Sequence, residues 1–189
     1  KEIPETARAI AAAGHEIANP SQAHAHPKDL SDAALDREVA DAQQLIAATV
    51  GRAPRWYWPP FLEIDDRVRA AVGRAGITPY TPHHLVVSKD YDRSVPAAEI
   101  YRLTTTDVRD GSVILFHEWR TETREQLPAI LAELRRQGAE FYTFSGLAAA
   151  LAQAAPPASP PPGGTALLPA DPLAFRATGT DGAYRFTVL

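Results

Sequence analysis

With no cysteine and six histidines in 189 residues, the chain must build any proton-transfer or metal chemistry mainly on imidazole, carboxylate and hydroxyl groups. Disulfides, thiolate metal sites and a cysteine nucleophile are excluded together. His24 and His26 stand two apart. Such a pair shares a metal only where the backbone is extended or looped and a third ligand comes from elsewhere; otherwise both are solvated loop residues. His83 and His84 are adjacent, and neighbouring side chains on a strand point to opposite faces, so they are expected at a surface or rim. His117 follows the apolar run Val113-Ile114-Leu115-Phe116, which places it at the end of a predicted strand, where sites in parallel-sheet folds collect. Glu118, Trp119, Arg120 and Arg124 come next. They read as the start of a solvated helix, with contact to an anionic or sugar group as the functional alternative.

The elements that must position these groups alternate. Pro4 opens an Ala-rich helix that stops at Gly14, and His15-Glu16-Ile17-Ala18-Asn19, bounded by Gly14 and Pro20, suits a short buried strand. Ser31 caps a long helix carrying Leu35, Val39, Leu45, Ile46 and Val50, closed by Gly51. An aromatic loop follows, Trp56-Tyr57-Trp58-Pro59-Pro60-Phe61, whose rings suit either sugar stacking or a hydrophobic rim. Val68, Ala71 and Val72 mark a helix ending near Gly76. His84 to Ser88 and Ser112 to Phe116 read as buried strands, each followed by a helix, at Pro96 to Arg102 and at Thr121 to Arg136. Phe141 to Thr143 supplies another strand, and Ser145 caps the last helix. Strands alternating with helices of this length imply an α/β domain with a mostly parallel sheet.

A chain with 45% apolar and 22% charged residues is long enough for one sizeable core. The formal charge of -4 gives no reason to expect nucleic acid, and no apolar run approaches the roughly 20 residues that span a bilayer. From Pro156 the sequence turns to Pro-Pro-Ala-Ser-Pro-Pro-Pro-Gly-Gly, which reads as a semi-rigid linker. The expected organisation is therefore a domain over 1–155, a linker over 156–164, and a tail over 165–189 with one strand at Tyr184 to Leu189. That tail is too poor in apolar residues to fold alone, so it is expected to pack on the domain, on another chain, or not at all. The opening Lys1-Glu2-Ile3-Pro4, in a chain without methionine, suggests that a further segment precedes Lys1.

Several stretches resemble motifs of the polysaccharide deacetylase (NodB homology) family, in that family's order, from Lys1 to about Leu151. Gly14-His15-Glu16-Ile17-Ala18-Asn19 resembles the GHEIGN segment before the family's two metal-binding histidines. His24 matches the second of these, while Pro20, without a donor atom, stands at the first. Trp58-Pro59-Pro60-Phe61 resembles R-x-P-[YF], with Trp58 in place of the arginine. Val87-Ser88-Lys89-Asp90-Tyr91 resembles D-x-x-D-W, and Leu115-Phe116-His117-Glu118 resembles L-x-H-D.

The resemblance implies a NodB-like distorted (β/α) barrel, with N-terminal strands apparently missing and a short C-terminal extension. It implies hydrolysis of an acetamido sugar or related amide, His117 as the general acid that protonates the leaving amine, and Asp90 as the carboxylate that holds and charges it. Substrate contacts are expected at Trp58, Tyr91 and Leu115. The family's cation, zinc or a similar divalent metal, would need His24, His26 as a substitute ligand, and an aspartate from an upstream segment or second chain. By the same resemblance the protein is expected to be secreted or in the cell envelope. The alternative is a catalytically inactive carbohydrate-binding or scaffolding relative that keeps the fold and has lost the reaction.

Overall fold

The structure, a computed structural model, describes residues 4–154 and 184–188. Its contacts divide the chain into two compact units, Lys1–Thr81 and Pro82–Leu189.

The first unit is built on three helices and a pair of short parallel strands. Helix α1 (Pro4–Ala12) precedes α2 (Asp32–Val50), which begins at Ser31, whose hydroxyl accepts a hydrogen bond from the Ala34 amide, and ends at Gly51 in the left-handed conformation. Both ends fall where the sequence places them. Leu35 and Val39, one helical turn apart, are buried against Val68, Ala71 and Val72 of α3 (Asp66–Arg74) and against Tyr57. Strands β1 (Trp56–Tyr57) and β2 (Thr78–Pro79) pair in parallel. The expected strand over His15 to Asn19 is reduced to one bridge between Asn19 and Tyr57.

Asn19 replaces that strand as an organiser. Its fully buried side chain donates to the Val39 carbonyl at 3.0 Å and to Gln43 Oε1 at 3.1 Å, and accepts from the Ser21 amide at 2.9 Å. Asn19→Ala leaves those groups unpaired in the interior, and the expected loss is about 2–4 kcal/mol of stability, read by urea denaturation. An unchanged midpoint would contradict this role.

The second unit holds a four-stranded, all-parallel sheet in the order β3-β4-β6-β5: His84–Val87, Ser112–Leu115, Tyr184–Val188 and Ala139–Phe141. Consecutive residues Val113 and Ile114 are both fully buried, so β4 is covered on both faces, as a parallel strand requires. Helices α4 (Ala97–Thr106) and α5 (Thr121–Arg136) pack on each other, and Ile100, Ile130 and Leu134 meet Val86, Ile114 and Phe116 of the sheet region. The last helix, α6 (Phe144–Ala154), starts one residue before the expected Ser145 cap, and Thr143 Oγ1 accepts from the Gly146 amide in its first turn. Residues 156–164, read as a linker, lie outside the described residues. No described helix is long and apolar enough to cross a membrane.

Candidate functional site

Strands β3 and β4 run side by side in register, Val87 opposite Leu115, so the loops that leave their C-terminal ends emerge together. At the end of β3, Lys89 adopts φ 58, a left-handed conformation that costs a non-glycine residue about 1 kcal/mol and is kept only where surrounding contacts demand it. This turn carries Asp90 into the interior, where it is fully buried. At the end of β4, His117 meets it.

The Asp90 carboxylate is gripped on both oxygens. The His117 ring Nδ1 lies 2.7 Å from Oδ1; the His117 amide donates to Oδ2 at 2.7 Å, and the Thr123 hydroxyl donates to the same oxygen at 2.7 Å. Burial by itself would raise this carboxyl. Hydrogen bonds from the His117 ring and amide, Thr123 and Ser88 outweigh it and hold Asp90 below its ordinary value. The carboxylate is therefore ionised at neutral pH and can only accept, which fixes the proton of the His117 ring on Nδ1 and leaves Nε2 as the reactive nitrogen. The His117 side chain is 33% exposed, so that nitrogen belongs to a group open to a ligand.

Tyr91 and Trp119, both exposed, flank the imidazole with ring centroids 6.2 and 5.9 Å away. Leu115, the last residue of β4, is half-buried, and its carbonyl accepts from the Ser88 amide. Arg120 stands at the start of the helix, as expected, but it is buried rather than solvated. It is only 6% exposed, and its guanidinium donates to the carbonyls of Arg93 at 3.3 Å and Val95 at 2.8 Å. It thereby ties the loop after Asp90 to the loop after His117. Thr123 was equally hidden in the sequence, since a threonine in a first helical turn carries no signal of a carboxylate partner.

The other expected positions fall in the first unit. His26 stacks on Phe61 with centroids 3.5 Å apart, and its Nδ1 lies 3.1 Å from Glu63 Oε1, which also pairs with Lys28 at 2.9 Å. The Lys28 hydrogen bond is the main cause that lowers the Glu63 carboxyl below its usual range. His24, exposed and at φ 53, meets Phe61 edge-on at 5.0 Å. Pro20 supplies nothing. No group of three or more His, Asp or Glu among the described residues could hold a metal ion. A ring stacked on phenylalanine with one nitrogen turned to an ion-paired glutamate is not poised to coordinate, so the donors present do not fit the family's cation. Trp58 is half-buried, 6.2 Å from Tyr80, and its amide donates to the Asn19 carbonyl. The rim histidines also have structural work: His84 is half-buried, with Nδ1 2.8 Å from Ser112 Oγ.

The polysaccharide deacetylase family model matches residues 1–80. A peptidoglycan-N-acetylglucosamine deacetylase of Bacillus cereus is 28% identical over 149 residues, covering 76% of this chain and 68% of the relative. Across three curated bacterial relatives the chain spans between 44% and 68% of their length. Among solved structures, a family 4 acetyl xylan esterase from Clostridium thermocellum, in complex with a cobalt ion, is 26% identical with a TM-score of 0.71, covering 79% of this chain and 71% of that one. A CE4-family pseudoenzyme from Bacillus anthracis has the same fold, with 21% identity, a TM-score of 0.67, and coverage of 76% of this chain and 50% of that one. These likenesses assign the α/β NodB fold expected from the motifs, and over residues 1–80 the chain is similar to the polysaccharide deacetylase family.

Proposed function

We propose that the chain is a deacetylase-like hydrolase acting on an acetamido sugar or related amide, with His117 as its proton donor and a degenerate metal site. The observation that carries this reading is the grip of Asp90 on His117: a fully buried carboxylate that accepts both the ring and the amide of one partly exposed histidine. Burying a charge is unfavourable unless hydrogen bonds compensate for it. Here they hold one imidazole in one tautomer. When water adds to the amide carbonyl and the C–N bond of the adduct breaks to release acetate, protonated His117 delivers a proton from Nε2 to the departing nitrogen, the proton that water gives up restores the ring's charge, and Asp90 stabilises the imidazolium in between. Thr123 keeps the second carboxylate oxygen occupied, and Arg120 fixes the loop that presents Tyr91. Tyr91 and Leu115 border the substrate, and Trp58 serves a sugar contact in its own unit. The name of the Bacillus cereus relative points to N-acetylglucosamine in peptidoglycan, and so to work at the cell envelope.

A second reading rests on the donor set. Pro20 and Trp58 stand where the family resemblance puts a ligand and an arginine, and no three-donor group exists among the described residues. On that reading the protein binds glycans without turning them over.

Acetate release from chitotetraose, measured with the full chain in zinc, in cobalt and in chelator, separates the two. Release that survives chelation is expected if the His117 site works on its own donors. Saturable glycan binding with no acetate release under any of the three conditions would end the hydrolase reading and establish the second.

A further inference from the structure

The loops that bring Asp90 and His117 together leave a second feature beside them. Trp119 is 44% exposed, an unusual position for the largest side chain, and the guanidinium of Arg93 lies 5.6 Å from its ring centroid. Arg93 is itself exposed, and no carboxylate among the described residues pairs with it. Its position is built: buried Arg120 holds the Arg93 carbonyl and the nearby Val95 carbonyl, so the backbone under this cation is pinned to the start of α5. Trp119 lies two residues beyond His117 and within 5.9 Å of its ring.

We propose that Trp119 and Arg93 form a specificity subsite that selects glycans whose pyranose ring carries a carboxylate next to the acylated residue. The proposal rests on the reading of His117 as a glycan-processing centre. An exposed indole offers the C–H face of a pyranose a large, rigid contact at small entropic cost. A hydrophobic protein partner would need a contiguous apolar patch, and here the ring is bordered by Arg93, Glu118 and the imidazole. A cation held over the indole, 5.6 Å from the ring centroid, is placed to meet an anionic substituent of a sugar seated beside that ring, and its planar fork suits a carboxylate.

Calorimetric titration of the full chain with chitotetraose and with 6-carboxychitotetraose tests this, because the two probes differ only in the charged group. The native chain is expected to bind the carboxylated probe about three- to fivefold more tightly, as an exposed ion pair allows, and to lose that margin in high salt. Arg93→Gln is expected to remove the preference and Arg93→Lys to restore part of it. Trp119→Ala is expected to weaken both probes about tenfold, and Trp119→Phe much less.

Equal affinity for the two probes, a preference that persists in Arg93→Gln, or Trp119→Ala binding as native would each overturn the subsite. The outcomes remain separate from those for the hydrolase reading. A native chain that prefers the carboxylated probe and releases no acetate sustains the subsite and sinks hydrolysis; acetate release at equal rates from both probes does the reverse.

Discussion

Replacing His117 by alanine is expected to lower acetate release by about 10²–10⁴-fold, the range that a positioned general acid contributes, with the protein still folded. Asp90→Asn is expected to come close to that loss by a different route. The amide keeps the shape of the carboxylate but turns one acceptor oxygen into a donor. That donor cannot face the His117 backbone amide, which has no lone pair to offer, so it faces the ring instead, and the imidazole can accommodate it only by moving its proton from Nδ1 to Nε2. The ring then cannot take a proton on Nδ1, so the imidazolium that delivers the proton from Nε2 no longer forms beside a stabilising charge. The cost in stability is expected to be about 1–3 kcal/mol, because charge-assisted hydrogen bonds are replaced by weaker neutral ones.

The two variants also differ with pH. Because the folded state holds the Asp90 carboxyl below its ordinary value, the unfolded chain binds that proton more readily. The stabilisation is complete above the ordinary carboxylate pKa of about 3.9 and is lost as the pH falls through the folded value. Urea midpoints between pH 3 and pH 7 should therefore fall less steeply for Asp90→Asn than for the native chain. Undiminished acetate release by His117→Ala would remove the proposed mechanism, whatever the stability data show.

Much of this site was legible because local sequence and distant pairing agree there. The apolar runs at His84 to Ser88 and Ser112 to Phe116 read as buried strands, the likeness to D-x-x-D-W and L-x-H-D singled out Asp90 and His117, and the in-register pairing brings the two together. What the sequence hid depends on contacts across many residues. Arg120 reads as a solvated charge until the carbonyls of Arg93 and Val95 are found against it. Asn19 sits in what reads as a strand, yet its side chain reaches across to Val39 and Gln43 and accepts from the Ser21 amide. The short strands β1 and β2 were missed because two residues carry no period; the Asn19 bridge and the bonds from the Thr78 amide to the Arg55 carbonyl and from the Tyr80 amide to the Tyr57 carbonyl define them. The histidine pair at 24 and 26 shows the converse. Spacing alone permits a shared ion, but the stacking of His26 on Phe61 and its bond to Glu63 commit that ring elsewhere.

Ending the chain at Ala154 is expected to unfold the second unit. Strand β6 lies between β4 and β5 and pairs with both, Ser112 opposite Phe186 on one side and Phe141 opposite the same residue on the other. Its removal cuts the sheet into a β3-β4 pair and an isolated β5, and it leaves one edge of β4 without partners in a region where Val113 and Ile114 are fully buried. Each buried backbone group left unpaired costs about 1–3 kcal/mol, so losing a strand on two sides removes stability comparable to the 5–15 kcal/mol that holds a whole domain together. The effect should reach the site, since β4 ends two residues before His117. For the chain 1–154 we therefore expect loss of the cooperative urea transition of the second unit, loss of acetate release, and aggregation through the opened edge. A synthetic peptide spanning Tyr184 to Leu189 should restore part of the transition by adding back the missing strand. If the shortened chain unfolds at the midpoint of the full one, β6 is an ornament on a sheet that closes without it, and the positioning of His117 must then come from β3 and α5 alone.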